Sequence, residues 1–168
     1  NGCVLPVKTV GVQGDARTYS YLGMLWGDRN WSNIRSAAKK IPRRVHSVNR
    51  VVYSFEEPKE VIKIKTFVTQ DNIDLLKEVD YIGREILSEN GVNGISQTIF
   101  VLFGLGINSK NRSVALRAVS TDDFMTVTPF EISWKVLEEI RERISGVNGV
   151  GSFVIDVTDK PPATTCWE

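Results

Sequence analysis

The order strand, strand, helix, strand is written twice along this chain, and that repetition limits the folds open to it more than any other feature. In the first unit, Cys3 to Leu5 with Val7 to Val12 is one extended run rich in β-branched residues, and Tyr19 to Trp26 is a second. Gly14 and Asp15 turn between them, which reads as a β-hairpin. From Asp28 or Asn30 as N-cap, Ile34, Ala37, Ala38 and Ile41 recur at helical spacing, and Pro42 is predicted to stop the helix. Val48 to Phe55 is then a third strand. The second unit repeats the order with Ile99 to Leu105 and Ser113 to Val119 as strands. Thr128, Pro129 and Glu131 read as a capping box with proline at the first helical position. The helix that follows puts Val136, Leu137, Ile140 and Ile144 on one face and Lys135, Glu138, Glu139, Arg141 and Glu142 toward water. Gly146 ends it, and Ser152 to Val157 is the last strand. Val4-Leu5 against Val101-Leu102, Arg17-Thr18 against Arg112-Ser113, and Ser47-Val48-Asn49 against Gly146-Val147-Asn148 add residue correspondences to the order, as an internal duplication would.

The expected organisation is therefore a first β-β-α-β unit over residues 1–55, a connector over 56–96, and a second unit with a C-terminal tail over 97–168. In the connector, Ile73 to Glu89 carries Leu75, Leu76, Val79, Ile82, Ile86 and Leu87 at helical spacing, with Asp71 as cap and Asn90-Gly91 closing the helix. The fold class is α+β, two β-β-α-β units joined by a helical connector, and a three-stranded sheet with one helix leaves an apolar face that a second unit can cover. A chain built this way is expected to be a monomer. A start at Asn1, with strand-like sequence almost at once, reads as a fragment of a longer polypeptide.

Composition excludes several classes of function. Lys plus Arg number 21 against 20 Asp plus Glu, a net charge of +1, so no overall field draws the chain to nucleic acid or an anionic membrane. The two cysteines, Cys3 and Cys166, stand at opposite ends in no ligand spacing, which argues against zinc and against a disulfide framework and suits a reducing, cytoplasmic setting. No apolar run reaches the length of a membrane span; the longest, Ile99 to Leu105, suits a buried strand.

Two short motifs carry the functional signal. Val10 to Asp15 read VGVQGD, followed by Arg17 and Tyr19, and Thr158 to Glu168 read TDKPPATTCWE. Together they resemble the C-terminal domain of glutamine-hydrolysing GMP synthase, whose usual pattern is VGVxGDxRxY early and SKPPxTxEWE at the end. Leu116 to Val119 (LRAV) and Asp123, Met125 and Thr126 (DxMT) extend the resemblance over nearly the whole chain. Two units in one chain resemble the eukaryotic type, in which an intramolecular pair stands in for a homodimer.

The resemblance implies a part in converting XMP to GMP, in which a glutaminase domain releases ammonia and an ATP pyrophosphatase domain adenylates the purine with ATP and Mg2+. Neither domain's own motif is found in this sequence, so the chain alone is expected to be inactive, without catalytic residues, metal or cofactor. Its implied role is to complete the XMP site of the adjoining domain. The implied substrate contacts are Asp15, Arg17, Gln97 and Lys160. Arg17 and Lys160 suit a nucleotide monophosphate, the former through paired hydrogen bonds, while Asp15 and Gln97 suit ribose hydroxyls or a purine edge. Pro161-Pro162 stiffens the tail. Cys166 stands where the family has Glu and cannot supply its carboxylate.

Other readings stand beside these. Asp15 is also an ordinary hairpin residue, Arg17 and Gln97 ordinary solvated polar residues, and the tail an ordinary flexible terminus. A purely structural pseudo-dimer module without ligand contacts is the alternative function. Lys39, Lys40, Arg43, Arg44, His46 and Arg50 form a basic cluster, but no interleaved aromatics accompany it. The simpler reading has Lys39 and Lys40 complementing a helix C-terminus and the others facing solvent or absent domains, with no nucleic acid bound. His46 is the only histidine, too few for a multi-histidine metal site. Trp31 and Trp134 at helix starts read as packing residues, and Trp167 either docks on a neighbouring domain or hangs free.

Overall fold

The computed structural model describes residues 1–13 and 16–167, apart from the side chain of Gln13. β1 (Gly2–Gln13) and β2 (Ala16–Leu25) pair as the expected antiparallel hairpin. Helix α1 (Trp31–Arg44) crosses to β3 (Val48–Ser54), which lies parallel to β2. After the short β4 (Val61–Lys63) and helix α2 (Gln70–Glu89), the order returns. β5 (Gln97–Phe103) pairs antiparallel with β7 (Arg112–Ser120), with β6 (Leu105–Ile107) between them in sequence. Past β8 (Thr128–Pro129), helix α3 (Trp134–Ser145) crosses to β9 (Val150–Asp156), parallel to β7.

The two units meet edge to edge, not face to face. β3 and β9 pair antiparallel through Val52↔Asp156, Tyr53↔Ile155 and Ser54↔Val154, giving one sheet in the order β1-β2-β3-β9-β7-β5 with β8 on β7. Joining two strands that would otherwise be edges satisfies their backbone groups, which stacking the units would leave open. The register is two-fold symmetric about Tyr53 and Ile155. It pairs Leu22 with Arg50 and Ser113 with Ser152, and each parallel ladder carries its irregularity at the same step. These ladders set Leu5 against Phe103 and Val48 against Val150, so the element order recurs while the residue identities noted in the sequence do not superpose.

The helices cover one face, where Val51, Tyr53, Leu116, Phe153 and Ile155 meet Ile34, Leu137, Ile140 and Val79. Trp31 and Trp134, the first residues of α1 and α3, stack at 5.2 Å beside the axis, and the Trp31 Nε1–H donates to the Ile132 carbonyl at 3.0 Å. The other face, with Leu22, Met24, Val52, Ala115 and Val154, is closed by the β4–β6 ribbon and Trp167.

Several boundaries differ from expectation. Pro42 is buried inside α1, which runs on through Arg44; so near the C-terminus a proline removes one bond, and the Val45 N–H still reaches the Ile41 carbonyl at 2.8 Å. Thr128 and Pro129 are not a helix cap, because β7 takes them as β8; Ser133 caps α3 instead, accepting from the Val136 N–H. Thr69 caps α2, leaving Asp71 in the first turn, where its charge suits the helix dipole. α2 packs so closely on β5 that a Cβ on Gly83 would lie 2.0 Å from the Phe100 ring. Gly83→Ala, which at an exposed helical position would gain about 1 kcal/mol, is therefore expected to cost about 1–3 kcal/mol by overpacking. A thermal melt reads the sign directly.

Candidate functional site

The two sequence motifs from opposite ends of the chain lie side by side. Beyond β9, the segment 158–167 crosses the sheet toward β1. Lys160 and Val127 exchange backbone hydrogen bonds at 2.9 and 3.1 Å, the Val12 N–H donates to the Pro162 carbonyl at 2.7 Å, and the Val10 N–H to the Trp167 carbonyl at 3.1 Å. Gly11 of the VGVQGD motif permits this approach: a Cβ there would sit 2.7 Å from both Asn49 Nδ2 and the Pro162 oxygen. Asn49 in turn donates to the Thr9 carbonyl at 2.8 Å and accepts from the Thr9 hydroxyl at 2.7 Å, fixing the strand against which the tail lies.

What holds the tail is a row of buried charges on the face away from the helices. Arg50 on β3, Asp156 on β9 and Arg117 on β7 are fully enclosed, with Asp156 oxygens 2.5 Å from Arg50 Nη1 and 3.0 Å from Arg117 Nη1. Burial alone would push the Asp156 carboxyl up, but Arg117 and Arg50 beside it hold it below the usual carboxylate range. Arg50 Nε and Arg117 Nη2 find no partner among the described residues, while further donors of both guanidiniums reach tail carbonyls. Arg117 reaches those of Thr158 at 3.0 Å and Thr165 at 2.8 Å, and Arg50 those of Thr164 at 3.1 Å and Cys166 at 2.8 Å. Trp167 closes the arrangement: its Nε1–H donates to Asp156 at 2.9 Å, its ring meets Phe103 at 5.3 Å, and the Arg50 guanidinium lies 5.3 Å from it. Trp167 thus docks within its own domain. Because backbone is what the arginines read, the side chain at 166 is left exposed, and cysteine is accommodated there.

Lys160 is half-buried and aimed. Its Nζ donates to the Phe124 carbonyl at 2.5 Å and to Thr165 Oγ1 at 3.4 Å. An ammonium has three donors, and among the described residues two of them find acceptors. Arg17 is exposed opposite Val12, and Gln97 is half-buried opposite Val119. Strand directions put both at the sheet end where the tail crosses. They stand on strands four steps apart, roughly 19 Å at the usual strand spacing, with Lys160 and the tail between them. Asp15 lies outside the described residues.

Arg50, Arg117 and Asp156 were hidden from sequence reading. Arg50 belongs to no surface cluster; it is buried because β3 turns it toward Asp156. A usable signal existed: each of the three is a single charge inside an apolar strand, in VNRVV, ALRAV and VIDV. Lys39, expected to serve its own helix end, pairs with Asp159 at 3.3 Å, as Arg35 does at 3.6 Å, so α1 touches the residue before Lys160. These half-exposed pairs contribute at most about 1 kcal/mol each.

Comparison with known proteins identifies the family. The family model described as "GMP synthase C terminal domain" matches residues 84–167. A glutamine-hydrolyzing GMP synthase of Dictyostelium discoideum is 38% identical, aligned over 96% of this chain and 26% of its own length. A probable GMP synthase of Caenorhabditis elegans is 33% identical over 98% of the chain and 26% of itself, and one of Leptospira interrogans 30% identical over 100% of the chain and 29% of itself. The chain spans about a quarter of the length of these curated relatives, 26% of the first. With the VGVQGD strand and the KPP tail joined in one structure, and the family match running through the second unit to Trp167, the chain belongs to the GMP synthase C-terminal domain family.

Proposed function

We propose that this chain completes the XMP site of a glutamine-hydrolysing GMP synthase, a cytoplasmic ligase that aminates XMP to GMP with glutamine-derived ammonia in purine biosynthesis. The observation that carries the reading is Lys160: a cation at the sheet end, oriented by two acceptors among the described residues. In this reading Lys160 and Arg17 neutralise the nucleotide phosphate, and Asp15 and Gln97 meet ribose or purine. In this reading ATP and Mg2+ belong to the adjoining pyrophosphatase domain and ammonia comes from the glutaminase domain; among the described residues no group of three or more His, Cys, Asp or Glu gathers as metal ligands. No helix of the described residues is long and apolar enough to cross a membrane. The chain's contribution is charge and orientation, which lower the barrier only through a substrate held by both domains.

The test is the XMP dependence of GMP formation in the full-length enzyme. Lys160→Ala is expected to raise KM about tenfold or more, the size of a lost charge-assisted hydrogen bond to phosphate, with an unchanged melt. Unchanged kinetics would leave the tail with a purely structural role in the pseudo-dimer, the reading that the buried arginine contacts alone would support.

A further inference from the structure

The DxMT motif has no part in the contacts proposed above, and its geometry gives it one. The segment from Thr121 to Thr126 is a largely exposed loop between β7 and β8, held at its base by the Ser96 hydroxyl on both backbone groups of Thr121 and beyond that by its own short polar side chains. Asp123 Oδ1 accepts from the Met125 N–H at 2.8 Å and the Thr126 N–H at 3.4 Å. The Thr121 hydroxyl accepts from the Phe124 N–H at 2.9 Å and donates to the Thr126 carbonyl at 2.6 Å. Between these clamps Phe124 takes a φ of 59°, a conformation that a bulky side chain avoids unless its surroundings impose it. The Phe124 carbonyl is the acceptor that Lys160 Nζ reaches at 2.5 Å. On the far side of the loop, Val127 and Lys160 are bonded backbone to backbone, so loop and tail meet at two points on one residue.

We propose that Asp123 is a positioning residue for the nucleotide phosphate: it fixes the left-handed turn at Phe124, and the Phe124 carbonyl so placed aims the Lys160 ammonium. Two properties follow from the geometry. Asp123 acts through its Oδ1 as an acceptor of backbone N–H groups, so its charge is dispensable and an amide oxygen in the same place serves equally. The effect falls on binding, because an ammonium freed from its acceptor still carries its charge but samples many rotamers, and ordering it then costs free energy on ligand binding.

This inference rests on the reading of Lys160 as a phosphate contact, and one kinetic series in the full-length enzyme separates the two. Asp123→Ala is expected to raise KM for XMP about fivefold, the effect of one lost hydrogen bond passed on to Lys160, with kcat and the melt unchanged. Asp123→Asn is expected to return KM to within about twofold of the parent, since the asparagine oxygen keeps the turn. If Lys160→Ala raises KM and Asp123→Ala does not, the positioning role is overturned while the Lys160 reading stands. If Asp123→Asn is as impaired as Asp123→Ala, the carboxylate acts by its charge, and the positioning role is overturned in favour of direct contact. If neither Lys160→Ala nor Asp123→Ala moves KM, the Lys160 reading itself has failed and this inference falls with it.

Discussion

Asp156→Ala is expected to destabilise the domain by about 3–5 kcal/mol, the cost of leaving buried charge without its partner. Arg50 and Arg117 are both fully enclosed, and Asp156 is the carboxylate that sits between them. With it removed, two guanidiniums face each other in an apolar layer, and the indole of Trp167 loses its acceptor as well. Equilibrium denaturation measures the loss, and a change below about 1 kcal/mol would show that water reaches the row and screens it. The same residue sets an acid limit. Its carboxyl lies below the ordinary range in the folded chain, so the unfolded chain binds the proton more readily. The stability it contributes is fully present above the unfolded-state value of about 4, and it drains away as pH falls through the lower folded value. Melting temperatures recorded downward from neutral pH are expected to fall less steeply in Asp156→Asn than in the parent.

Trp167→Ala is expected to cost about 3–5 kcal/mol, in the range for large buried aromatics. Its ring is buried against Phe103, its Nε1–H serves Asp156, and its carbonyl accepts from Val10. The consequence reaches Lys160. With Trp167 gone, residues 164–166 keep the arginine contacts, the Lys160 contact to Thr165 and the Thr164 hydroxyl bond to the Val10 carbonyl but lose their apolar anchor, and the tail beyond Pro162 is expected to become accessible to proteolysis under native conditions. A melt scores the stability and limited digestion followed by mass analysis locates the opening. Trp167→Phe, which keeps most of the packing and loses the N–H, is expected to fall between alanine and the parent. If alanine leaves both readouts unchanged, the tail is held by the arginine, lysine and backbone contacts without the indole.

The local pattern made the order of elements readable, since alternation in β1 and β2 and helical spacing in α1 to α3 are properties of neighbouring residues. The joining of the two units was not local. β3 is buried along its whole length, so its sequence says that both faces are covered without saying which strand lies beside it. The parallel ladders carry their irregularities at equivalent steps, so the identities matched in the two halves were chance repeats of common residues, one or more positions off the true equivalence. At the site, Lys160 was legible from its motif because the tail is contiguous. Arg50 and Asp156 are 106 residues apart, and their meeting depends on the β3–β9 pairing. Asp123 lay in between: its motif was visible, while its purpose needed the Lys160 contact to be seen.

The two-fold register has a consequence for inheritance. Across the axis, Ser152 occupies the place of Arg50, Ser54 that of Asp156, and Trp26 that of Arg117. At that opposite end Ser113 and Ser152 share a neutral hydroxyl contact at 2.6 Å in place of the charged row. In an assembly of two identical chains, each substitution enters both halves at once, and a charge useful at one end must be tolerated at the other. One polypeptide carrying both halves is free of that bond: its ends can drift apart, one keeping three charges and a docked terminus while the other holds only neutral side chains, two of them half-buried.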